Sequence, residues 1–76
     1  MKTYLVLFEE DNHVYDVITK ADNLIEARNK VFDIFVVNTD LVTHGITQEI
    51  TQKQAKDTDW IYEYIQDWIN ETFKSE

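Results

Sequence analysis

The chain has 76 residues, and fifteen Asp/Glu against seven Lys/Arg give it a formal charge of −8. That length is one domain, residues 1–76, and a hydrophobic content of 43% argues against intrinsic disorder. The sign of the charge argues against direct binding to nucleic acid or to an anionic membrane, both of which need a basic footprint.

A domain of this size buries only about 60% of the surface its unfolded chain exposes, so its apolar residues must be used efficiently. No cysteine is present. No disulfide or thiolate chemistry is therefore expected, and a reducing cytoplasm fits. The apolar run Tyr4-Leu5-Val6-Leu7-Phe8 ends in Glu9-Glu10-Asp11. It is too short for a signal peptide and far short of the ~20 residues of a membrane span. The expectation is a soluble, cytoplasmic protein with no membrane partner.

Residues 2–9 read as a strand, with Tyr4, Val6 and Phe8 on one face and Thr3, Leu5 and Leu7 on the other. Two apolar faces predict a central strand. Glu10-Asp11-Asn12-His13 is a turn in which Asp and Asn replace the missing glycine. A second strand over 14–20 completes a β-hairpin. A helix over 24–36 follows, with Asn23 as N-cap and Glu26 placed for a capping box. Its predicted core stripe is Leu24, Ala27, Val31, Ile34 and Phe35.

The segment from Val37 to Lys56 is ambiguous. Asn38-Thr39-Asp40 reads as a turn. Leu41–Thr43 and Ile46–Thr51 are β-prone, with His44-Gly45 as a tight turn or bulge between two short strands. The alternative is a helix from near Thr47, because Gln48 to Lys56 is rich in helix formers. Strand first, then loop or early helix, is preferred. The last element is a helix over 58–73, capped by Asp57 or Thr58. The fold class is α+β: a small antiparallel sheet, a hairpin plus a third strand, with two packed helices in the order β-β-α-β-α.

On the last helix Asp59, Glu63, Asp67 and Glu71 recur every four residues. Like charges at that spacing cost roughly 0.2–0.5 kcal/mol per pair, and no lysine interrupts them before Lys74. The sharper reading is a row facing a cationic partner, by imitation of DNA phosphates or by blocking a basic groove. The plainer one is a solvated helix face. Trp60, Ile61, Tyr64, Ile65, Trp68, Ile69 and Phe73 form an apolar stripe on the same helix. Core is the plain reading of that stripe. The alternative leaves Trp60 or Trp68, with Tyr62 nearby, exposed as a homodimer interface.

His13 and His44 lack metal-ligand spacing, so no metal site is expected. No cofactor motif is present, and Ser75 is the only serine. The pair Glu9/Glu10 offers acid–base chemistry in principle, but a chain this small leaves little room for a catalytic pocket. Lys20, Arg28, Lys30, Lys53 and Lys56 are scattered, which reads as internal charge balance with a small basic patch as the alternative.

In size and character the chain resembles the small, acidic, cysteine-free accessory proteins of bacteriophages and other mobile elements. The residues behind this are Tyr4-Leu5-Val6-Leu7, the capped helix Asn23 to Phe35 and the acidic helix Asp59 to Glu71. The resemblance implies an inhibitor of the anti-CRISPR or anti-restriction type, which binds and blocks a host nucleoprotein. Together these readings predict a non-catalytic binding protein. Its partner would be a basic surface on a nucleic-acid-binding protein, reached through Asp59, Glu63, Asp67, Glu71 and Tyr62. A homo-oligomeric structural or regulatory protein is the rival.

Overall fold

The computed structural model describes residues 1–73; Lys74 and Ser75 lie outside the described residues. Strand β1 (Lys2–Glu10) pairs antiparallel with β2 (His13–Ala21) on one side and with β3 (Val42–Ile50) on the other, giving the order β2-β1-β3. Helix α1 (Leu24–Phe35) follows the hairpin. A 3-10 turn (Thr39–Leu41) precedes β3, and the short helix α2 (Gln52–Lys56) leads into α3 (Asp59–Phe73). The α+β class and the third strand hold.

β1 is central, as its two apolar faces require, and Thr3 to Phe8 are all buried. Its even-numbered side chains form one core with α1: Tyr4, Val6 and Phe8 pack with Ala21, Ala27 and Val31. Phe8 stacks on Tyr15 at 5.1 Å and meets Phe32 edge-on at 5.2 Å. Its odd-numbered side chains serve the other face, where Leu5 joins Ile50, Ile61, Trp60, Tyr64 and Ile65. The domain is thus three layers, α1 on one face of the sheet and α3 on the other.

The hairpin turn works as its residues predict. Asp11 and Asn12 both take positive φ, 51° and 67°, as a two-residue hairpin turn matched to the strand twist demands. Asn23 caps α1, accepting from the Glu26 N–H at 2.9 Å. The Glu26 carboxylate lies 3.6 Å from Lys30.

Several expectations need correction. Ala27 and Val31 face the core, but Leu24, Ile34 and Phe35 are exposed. A sheet of three strands is too narrow to cover every turn of a helix that crosses it. The preferred order of strand and then early helix holds, but residues 42–50 form one strand, not two short ones, and no helix starts near Thr47. Gly45 sits inside that strand without positive φ. The register shift falls between Glu9 and Glu10, which face His44 and Val42 and leave Thr43 as the extra residue. Helix formation begins after Thr51, whose hydroxyl and Gln54 make a full capping box. For α3, the Asp57 carboxylate accepts from the Asp59 N–H at 3.4 Å.

Candidate functional site

The crest of α3 carries the carboxylates singled out above. A helix turns about 100° and rises about 1.5 Å per residue, so a four-residue repeat drifts by roughly 40° and climbs roughly 6 Å each step. Asp59, Glu63 and Asp67 therefore lie along the outward face, and Glu71 winds onto its flank. All four are exposed. Among the described residues, no cation pairs with Asp59, Glu63 or Asp67. Tyr62 stands beside the row with 74% of its surface exposed, the most exposed aromatic of the helix.

The two tryptophans sit differently. Trp60 packs against the core with Tyr64 edge-on at 5.7 Å, and its indole N–H donates to the Gln54 carbonyl at 2.8 Å. Trp68 is half-buried and meets Phe73 edge-on at 6.1 Å. Both rings are engaged within the chain, so the exposed aromatic of the helix is Tyr62. The Tyr64 hydroxyl donates to Gln48 Oε1 at 2.5 Å, tying α3 to β3, and burial raises its pKa.

Glu9 and Glu10 are not brought together, because neighbouring strand residues point to opposite faces. Glu9 accepts from the Thr43 hydroxyl and lies 3.7 Å from His44 Nδ1. The His44 ring packs edge-on against Phe73 at 5.0 Å. Glu10 is buried, and its Oε2 accepts the N–H groups of Val37 (3.1 Å) and Asn38 (3.3 Å). It fastens the loop after α1 to the end of the central strand. The sequence signal for this was a carboxylate at an even, core-facing position of β1. His13 is exposed near Tyr15. Among the described residues, no three His, Asp or Glu gather as a metal site.

The cations are mostly used locally. Lys2 approaches Glu49 at 3.9 Å, and Lys30 donates to the Lys20 carbonyl at 2.9 Å. Arg28 lies over the Phe32 ring at 5.8 Å. Lys53 and Lys56 occupy the last turn of α2, the end of a helix that favours positive charge. Between α1 and β3 runs an open cleft of about 410 Å³, lined by Leu24, Ile25, Arg28, Phe32, Gly45 and Thr47 among others. Pattern alone does not mark this cleft, because the helical period assigns Leu24 to the core.

No family model, curated protein or solved structure matches the chain. No helix among the described residues is long and apolar enough to cross a membrane.

Proposed function

We propose that this is a cytoplasmic, non-catalytic binding protein that lays the carboxylate row of α3 on a basic protein surface. Asp59, Glu63 and Asp67 supply the charge, with Glu71 and Tyr62 at the margins. The observation that carries the reading is the exposure of three like charges in series, with no cation of the described residues beside them. Each like pair costs roughly 0.2–0.5 kcal/mol of helix stability, and a positive partner surface would relieve it.

Basic surfaces of this kind are the footprint of nucleic-acid-binding proteins, so the concrete version is an inhibitor that occupies such a surface. This agrees with what the resemblance to phage accessory proteins implies. The row is sparser than DNA: one charge per roughly 6 Å of helix, against about 3.4 Å per phosphate along one strand. One helix would thus engage a few cations and would not copy a duplex.

The test is affinity capture from the host cell with the wild type and with the triple variant Asp59→Lys, Glu63→Lys, Asp67→Lys. A partner recovered by the wild type, released by salt and lost by the variant at unchanged circular dichroism is the expected result. Equal recovery by both proteins sinks the reading.

A further inference from the structure

The two edges of the sheet differ. Glu10 and His13 flank the two-residue turn and close the hairpin. Even-numbered β1 residues therefore exchange backbone hydrogen bonds with β2, and odd-numbered ones turn theirs toward β3. Leu5 and Leu7 face Gln48 and Ile46 in that second ladder. Ile46 and Gln48 bond inward, which leaves Gly45, Thr47 and Glu49 with N–H and C=O directed outward. On β2 the same parity turns Asp16 and Lys20 outward.

The β2 edge is defended. Two charged residues stand at its outward positions, and Lys30 caps the outward Lys20 carbonyl at 2.9 Å. Charges and covered backbone groups are how sheets block edge-to-edge pairing. The β3 edge has fewer such devices: one charged residue at an outward position, Glu49, and the extra residue Thr43 near its start. It has no Lys, Arg or Pro, its one carboxylate, Glu49, is drawn to Lys2, and Gly45-Ile46-Thr47 stand at its centre. Among the described residues only β1 pairs with it. Helix α1 stands back from this edge, leaving Leu24 and Ile25 49% and 67% exposed over the cleft.

We propose that β3 pairs antiparallel with β3 of a second copy of this chain, about a two-fold axis at Ile46, to form one continuous six-stranded sheet. Hydrogen bonding requires outward residues to face outward residues, so the axis must pass through a residue position. An axis at Ile46 overlaps Val42–Ile50 with its mate, and the regular bonding of the seam lies within His44–Gln48, with the extra residue Thr43 beyond it at each end. Gly45 then faces Thr47 of the second copy, and these pairs exchange backbone bonds. Ile46, 39% exposed in the single chain, meets its own mate.

Charge is compatible with this register. Glu49 faces Thr43 of the second copy, and the two Glu49 residues stand six positions apart, about 20 Å along the strand. That exceeds two screening lengths of about 8 Å at physiological salt. The incoming strand runs beside the cleft, where Leu24 and Ile25 gain cover. Such an interface is isologous, as two-fold dimers require. A single strand pair is small beside a standard interface of roughly 1,200–2,000 Å², so the dimer is reversible and depends on concentration. The seam is separate from the α3 crest, so its failure and that of the partner-binding reading are independent.

The chain has no cysteine, so Ile46→Cys introduces a lone thiol at the axis. Directly opposed non-hydrogen-bonded residues lie about 4.5 Å apart at Cα, within the roughly 4.4–6.8 Å a disulfide spans. Oxidation by oxidised glutathione is expected to give a covalent species of twice the 9.1 kDa chain mass. Gln48→Cys, whose mate is about 13 Å away along the strand, is expected to stay uncoupled. Sedimentation equilibrium from micromolar to millimolar protein supplies the second arm. The wild type and Asp16→Pro should dimerise. Thr47→Pro, which deletes one outward N–H of an edge strand, should stay monomeric with an unchanged circular dichroism spectrum. A wild type that is monomeric throughout overturns the proposal. So does a Thr47→Pro variant that dimerises like the wild type, or equal coupling of the two cysteine variants.

Discussion

Glu63→Lys should make the protein more stable and a poorer binder. Glu63 stands between Asp59 and Asp67 on the exposed crest of α3. The substitution removes two like-charge contacts and creates two opposite-charge ones, each worth roughly 0.2–0.5 kcal/mol. The total is about 1–2 kcal/mol, and for a domain of this length each kcal/mol moves Tm by roughly 4–8 °C. A thermal melt followed by circular dichroism at low salt should therefore shift upward by roughly 4–16 °C. Glu63→Gln, which only removes the repulsion, should give about half of that. In about 1 M salt the screening length falls to about 3 Å, and most of the gain should vanish. An unmoved or lowered Tm at low salt refutes the reasoning, as does a gain that persists at high salt. If α3 also meets a basic partner, the stabilised variant recovers less of it, so stability and binding move in opposite directions.

Glu10→Ala should destabilise the domain by about 1.5–3 kcal/mol, the range for a hydrogen bond to a charged group. Two such bonds are lost, but Val37 and Asn38 are exposed residues, so water can reach their part-buried N–H groups. A Tm fall of less than about 2 °C would show that the carboxylate does not hold the loop. Tyr64 makes a pH prediction. Burial raises its folded pKa above the ordinary value of 10.0, so the unfolded chain loses the proton first. Its contribution is complete below that value and is lost as pH rises through the folded pKa. Denaturant unfolding across the alkaline range should show a shallower loss of stability for Tyr64→Phe, and identical slopes would contradict this.

The parts of the fold that were legible carry strong local chemistry. Asp11-Asn12 can supply positive φ without glycine, Asn23 can cap a helix, and β1 is apolar on both faces. β3 was obscure for a physical reason. Of its nine residues only Ile50 is buried, so an edge strand with a sparse apolar pattern resembles a loop or a weak helix. The helical period overstates α1's core contact, because it does not reveal where a narrow sheet ends. On α3 the helical period separates an apolar stripe from a carboxylate row, but it does not say which face is buried or that Ile61 alone is fully so. Trp60 was harder to place, since its indole partner is a backbone carbonyl in α2 that no sequence pattern announces.

The burial of β1 on both faces and its pairing on both edges also set the order of events during synthesis. The stretch Thr3–Phe8 is β-prone, uncharged and free of proline, which is the signature of a segment that aggregates when left open. Its first edge is closed locally, by a hairpin that forms in roughly 1–10 μs once residue 21 has emerged. Its second edge waits for residue 50. At roughly 5–20 residues per second of translation, the nascent chain carries a half-covered, sticky strand for a few seconds before β3 arrives.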